Sequence, residues 1–164
     1  MKKELLIKEI IGSLESELAS TLEAAKNAHL AAIDDQSVAE TQYDTLAIEA
    51  GYLAEGQTRR VQEIRQALAK YDAMKLMSFD ENSPIALSAL VQLSKDEVEN
   101  HWFFIGPAAG GFRTKINQQH YTVITPQSPM GQAMLGKYFE DDVIIALGHG
   151  AHIETLTDYI SNCY

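Results

Sequence analysis

Two apolar-periodic runs of nearly equal length, separated by a short polar break, most constrain what this chain can fold into. From Lys3 to Ile33 there is no proline and one glycine, Gly12. Ile7, Ile11, Leu14, Leu18, Leu22, Ala25 and Ala32 recur near the three-and-four spacing that lines one face of an α-helix. The break Asp34-Asp35-Gln36-Ser37 follows, then a second run at Tyr43, Leu46, Ala50, Leu53, Gln57, Val61, Ile64, Leu68 and Tyr71. Its steps are all of three or four residues, near the heptad average of a two-helix seam. Each run is long enough for roughly 45 Å of helix. Similar lengths and a short break predict an antiparallel hairpin. Near the break the first run supplies Ala24, Ala25, Ala28, Ala31 and Ala32. Alanine buries little apolar area, and area is worth about 25 cal/mol per Å², so the distal half of the hairpin is expected to be the weaker half.

The pattern changes after Met77. Ser78 to Pro84 contains Asp80, Glu81, Asn82 and Pro84, which favour turns and loops. Short β-type runs follow at Ile85–Leu93, Asn100–Ile105, Phe112–Ile116, His120–Thr125, Asp142–Leu147 and His152–Ile160. Between them, Ser128 to Gly136 reads as a short helix. Ser128 suits the N-cap, Pro129 the first helical position and Gly136 the C-terminal cap. The expected architecture is α+β. Residues 1–77 form an antiparallel two-helix coiled-coil hairpin, 78–84 a linker, and 85–164 an antiparallel β domain with one short helix.

Composition narrows the function. The chain has 164 residues and a formal net charge of −10. That charge opposes non-specific nucleic-acid binding, which needs Lys and Arg against phosphates, so no direct specific DNA binding is expected. The longest apolar runs fall short of a transmembrane helix, so no membrane association is expected. Met1-Lys2-Lys3-Glu4 leads directly into a charged amphipathic pattern rather than a signal peptide. A lone cysteine, Cys163, precludes an intrachain disulfide and fits a cytoplasmic protein.

The charges segregate. Residues 1–77 carry nine Lys/Arg against thirteen Asp/Glu, and residues 78–164 carry four against ten. Between Lys26 and Arg59 there is no basic residue, yet that interval holds Asp34, Asp35, Glu40, Asp44, Glu49 and Glu55. A solvated helix turn accounts for such residues without any ligand. The functional alternative uses them as hard oxygen ligands for Mg²⁺, brought to a partner's half-built metal site to help activate water.

Two segments resemble the Gre family of bacterial transcription elongation factors. One is Glu40-Thr41-Gln42-Tyr43 with Gly51-Tyr52-Leu53-Ala54-Glu55-Gly56-Gln57, similar to the family's Asn-Ala-Glu-Tyr and Glu-Gly-Arg stretches. The other is Ile124-Thr125-Pro126-Gln127-Ser128-Pro129-Met130-Gly131-Gln132-Ala133-Met134-Leu135-Gly136-Lys137, similar to the family's Ser-Pro to Gly-Lys segment. The resemblance implies a C-terminal domain of FKBP-like fold and RNA polymerase as partner. It implies a hairpin inserted into the polymerase secondary channel, with tip carboxylates assisting polymerase-catalysed cleavage of backtracked RNA. The tip candidates are Asp34, Asp35, Glu40 and Asp44, with Asp35 and Glu40 as ligands of an Mg²⁺ shared with the polymerase. Pro126, Ser128, Pro129, Met130 and Lys137 would bind the channel rim. The protein would have no active site or cofactor of its own and would act as a monomer.

The tip departs from the family pattern, which reads Gly-Asp-x-x-Glu-Asn-Ala-Glu-Tyr. Aligned on Glu55-Gly56, its acidic pair falls on Ser37 and Glu40; aligned on Tyr43, on Gln36 and Ala39. A shift of one residue moves a carboxylate by ångströms. The altered tip therefore favours a non-cleaving channel occupant over a cleavage factor using Asp35 with Glu40.

Other readings compete. A stand-alone prolyl isomerase would need an open apolar pocket, which Trp102, Phe103, Phe104, Phe112 and Tyr121 could line. Alternating aromatics in strands also serve as plain core. A structural dimer through the helices is a further alternative. His149 and His152, with His101 and His120, lack the one-face helical spacing of a zinc motif. The Gly106–Gly111 loop lacks the Lys-Ser/Thr of a P-loop.

Overall fold

The structure is a computed structural model that describes residues 2–34, 44–93, 101–147 and 150–159. Its contacts divide the chain into two compact units, Met1–Ile10 with Lys70–Tyr164, and Ile11–Ala69. Two long helices, α1 (Lys2–Asp34) and α2 (Asp44–Asp72), match the two periodic runs within a residue. They run antiparallel. Lys3 Nζ donates to the Met77 carbonyl at 2.9 Å, and further along α1, Glu17 meets Arg60 at 2.6 Å. Advancing along one helix therefore moves backwards along the other.

The seam differs from the simple apolar pattern. On α1 it runs through Leu14, Thr21 and Ala28, while Leu22 is 42% exposed. Steps of seven keep one face towards the partner when two helices wrap around each other. Leu22 lies one residue, about 100°, off that line. Thr21 enters the seam with its hydroxyl satisfied, donating to the Glu17 carbonyl at 2.7 Å. On α2 the heptad lines are Ala54, Val61, Leu68 and Gln57, Ile64, Tyr71, all buried or half-buried. Leu53 is off both lines and 57% exposed. Ala31, Ala32, Tyr43, Leu46 and Ala50 lie outside the residues whose side chains are described.

The other unit is built on six strands: β1 (Leu90–Leu93), β2 (His101–Ile105), β3 (Arg113–Ile116), β4 (Gln119–Ile124), β5 (Asp142–Leu147) and β6 (Gly150–Tyr159). One short helix, α3 (Pro129–Met134), precedes β5. The sheet order is β3-β4-β2-β1-β6-β5. The expectation of a purely antiparallel sheet is corrected at one place, where β2 and β4 run parallel, with Phe104 beside Val123. After β2 the chain crosses to the outer edge, lays down β3, and folds back as β4 between β3 and β2. That return makes β4 point the same way as β2, so the sheet is mixed.

A second correction concerns the first strand, which begins at Leu90 rather than Ile85. Ser88 holds a positive φ of 71°, and Ala89 N–H closes a turn on the Ala86 carbonyl at 3.0 Å. Ile85 instead pairs with the chain after α3. Its N–H donates to the Lys137 carbonyl at 2.8 Å, and its carbonyl accepts from Gly136 N–H at 2.9 Å.

Both faces of the sheet carry buried side chains among the described residues. On one, Val91, Phe103, Ile105 and Ile124 pack with Met134 of α3 and Val143. Phe79, from the segment before the sheet, joins this core at 4% exposure. Lys3 Nζ lies 4.7 Å from the centre of its ring. On the other face, Phe104, Trp102, Tyr121 and Val123 are buried. Tyr71 reaches this face, its hydroxyl donating to the Ala108 carbonyl at 2.9 Å. A Cβ placed on Gly106 would stand 2.6 Å from that hydroxyl. Burial pushes the Tyr71 phenol well above the ordinary tyrosine range.

Candidate functional site

The segment from Pro126 to Lys137 is shaped by one carbonyl and one glycine. Thr125 O accepts from Ser128 N–H at 3.0 Å and from the Ser128 hydroxyl at 2.8 Å. Ser128 Oγ in turn accepts from Gly131 N–H at 3.0 Å, the N-cap bond expected for this sequence. Pro129 occupies the start of the helix, where its missing N–H costs nothing. The first turn sits so close to the preceding strand end that a Cβ on Gly131 would overlap the Thr125 carbonyl oxygen. Gly136, at φ +78°, ends the segment in the left-handed conformation and ties it to Ile85.

This geometry sorts the candidate residues. Pro129 and Lys137 are exposed and available to a partner. Ser128 is spent on the cap, and Pro126 is half-buried. Met130, proposed from sequence as a contact residue, is half-buried and packs against the core. Met130 and Met134 lie four residues apart, so they share the buried side of the helix. Gln132 on this segment and Tyr138 just after it, not singled out from sequence, are exposed. Their signal was present: Gln132 lies three residues beyond Pro129, on the solvent side.

Of the tip carboxylates, Asp34 is the last residue of α1 and Asp44 the first of α2. Asp35 and Glu40 lie outside the described residues. The side chain of Asp34 and that of Asp44 do too, so the proposed Mg²⁺ ligand pair is not placed.

The other candidates separate clearly. Trp102, Phe103, Phe104 and Tyr121 are core residues, none more than 7% exposed, so they do not line an open pocket, while Phe112 is half-buried. His101 and His120 are neighbours across the parallel β2–β4 pair. His101 Nε2 lies 2.7 Å from the Thr122 hydroxyl, and its ring centre lies 4.3 Å from that of Phe103, the planes tilted by 44°. His149 and the side chain of His152 lie outside the described residues, as does Cys163. Among the described residues no three His, Cys, Asp or Glu side chains converge. No described helix is long and apolar enough to cross a membrane.

No protein-family model matches the chain, and no curated protein matches it significantly. Solved structures do. One is GreA factor homolog 1 (Gfh1) of Thermus thermophilus, at 16% identity over 90% of this chain and 92% of that one, with a TM-score of 0.36. Another, described as the transcription factor Gfh1, is 18% identical over 91% and 92%, with a TM-score of 0.34. A third, Gfh1 of Thermus aquaticus, is 16% identical over 91% and 92%, with a TM-score of 0.33. Similarity at this level does not assign the chain to a family.

Proposed function

We propose that this chain is an RNA polymerase-binding elongation factor. Its helical hairpin occupies the polymerase secondary channel, and its Pro126–Lys137 segment contacts the channel rim. One observation carries the reading. The stretch with the most specific resemblance to Gre factors folds as a short capped helix, wedged on the core through Gly131 and Met134. Its Pro129, Gln132, Lys137 and Tyr138 face solvent, on a chain that also carries a two-helix antiparallel hairpin. A rigid, exposed patch of this kind is suited to docking, because little ordering cost remains to be met on binding.

Within that function the non-cleaving role is favoured. Neither alignment register keeps both members of the family's acidic pair, and metal ligation is sensitive to small displacements. The protein contributes no active site of its own; at most its tip carboxylates supplement the polymerase metal site. It acts as a monomer in the cytoplasm.

The test uses the full chain, bacterial RNA polymerase and backtracked elongation complexes in Mg²⁺. Binding is expected, and about tenfold weaker binding when Pro129 and Lys137 are replaced together by Ala and Glu, the loss of a small hot spot. RNA is expected to keep its length. Shortened RNA that reverts with Asp35→Asn and Glu40→Gln would establish the cleaving role instead. Failure to bind polymerase would remove the proposal altogether.

A further inference from the structure

β3 is the outer strand of the sheet, and among the described residues nothing pairs with its far side. It joins β4 through a two-residue turn in which Asn117 and Gln118 both have positive φ, 49° and 66°. This is a type I′ hairpin, which fixes the register at Ile116 opposite Gln119. Hydrogen bonding therefore alternates along β3. Val123 N–H donates to the Phe112 carbonyl at 2.9 Å, so Phe112, Thr114 and Ile116 turn their backbone groups towards β4. Arg113 and Lys115 turn theirs outward.

The same two residues carry the strand's positive charge. They are two of only four Lys/Arg residues between 78 and 164, and both are exposed. Neither has a carboxylate partner among the described residues. Being two apart, they project to one face about 6.8 Å from each other. An extended peptide has the same repeat, so Asp or Glu at alternate positions would meet both cations while its backbone pairs with the strand.

We infer that β3 is a docking edge for an extended acidic polypeptide segment of a partner, which adds as a further strand with alternating carboxylates opposite Arg113 and Lys115. Strand addition of this kind takes affinity from main-chain hydrogen bonds and selectivity from alternate side chains. A single-stranded nucleic acid fits less well. Such ligands stack bases on exposed aromatic rings, and Trp102, Phe103, Phe104 and Tyr121 are all buried. This inference does not depend on the polymerase reading.

The probe is an end-capped peptide alternating Glu with Thr or Val, titrated into the full chain at low salt and followed by NMR. Slowed amide exchange is expected at Arg113 and Lys115, with binding that weakens as salt rises. The double change Arg113→Glu, Lys115→Glu should weaken binding about tenfold or more, and a matched Lys-containing peptide should not bind. Peptide binding without protection of those two amides would overturn the proposal. So would tighter binding of an oligothymidylate than of the peptide. If no peptide binds and the double variant simply aggregates, the two charges serve only to guard an open edge, and the proposal fails. Should the variant misfold, the exchange pattern of the unaltered protein decides.

Discussion

The sheet unit and the helical unit bury their apolar residues in different ways. In the sheet unit, large side chains such as Phe104, Ile105, Ile85 and Met134 are almost wholly enclosed, and both sheet faces carry buried residues. In the helical unit, Ile11–Ala69, the enclosed residues are Leu14, Thr21, Ala28, Val61 and Ile64. Two of those five are small or polar. The larger Leu22, Leu30, Tyr52 and Leu53 face solvent instead. Tyr52 is the most exposed of them, at 70%. A two-sided sheet lets each side chain meet neighbours from several strands, whereas a two-helix seam encloses only a stripe. The stabilisation available to the helices is correspondingly thin.

The strongest way to break this comparison is to empty each core in turn. Phe104→Ala should destabilise the sheet unit by about 3–5 kcal/mol, read by denaturant unfolding. A loss below that of Ile64→Ala in the seam would reverse the contrast. Next in size is Gly131→Ala. The added methyl meets the Thr125 carbonyl, and overpacking of this kind costs about 1–3 kcal/mol. If the proposed polymerase role holds, it should also weaken that binding, since it shifts the exposed face of α3.

Tyr71 sharpens the comparison from within the sheet unit, because it lies in the last turn of α2 yet serves the sheet. Tyr71→Phe should cost about 1 kcal/mol near neutral pH, for the lost bond to Ala108. Its pH dependence has a definite sign. The unfolded phenol ionises near its ordinary pKa of about 10, whereas burial raises the folded value. The fold therefore holds a neutral phenol, and its stability is intact below the unfolded pKa and declines as pH rises above it. The Phe variant should lack this alkaline decline; an identical profile would mean that Tyr71 is not enclosed.

The smallest effects belong to the helices. Gly51 and Gly56 sit within α2, where an added Cβ meets nothing within 4 Å. Gly51→Ala and Gly56→Ala should each stabilise the helical unit by about 0.5–1 kcal/mol, visible as slower amide exchange in α2 alone. The Arg60–Glu17 pair is half-exposed. Its removal by Arg60→Ala should cost well under about 1 kcal/mol and less in high salt.

Several features of this molecule were legible in the residues. The helix lengths followed from unbroken periodicity, and the cap at Ser128, Pro129 and Gly136 followed from local chemistry. The seam was only partly legible. Apolar spacing suggested Leu22 and Leu53, but the heptad lines pass through Thr21 and Ala54. The site was read with the same unevenness. Pro129 and Lys137 are exposed, whereas Met130 is half-buried because it shares a helix face with Met134. Phe79 was hidden in a polar stretch and gave no periodic signal.

What the sequence alone determined was local: where helices start and stop, where turns fall, and which short segment is capped. These depend on neighbours within a few residues, whose steric and hydrogen-bonding preferences travel with the chain. Tertiary structure decided the rest. The parallel β2–β4 pair, the open β3 edge and the choice of Thr21 over Leu22 all depend on which distant segments come side by side. No local preference encodes such a contact, because its free energy exists only once both partners are in place.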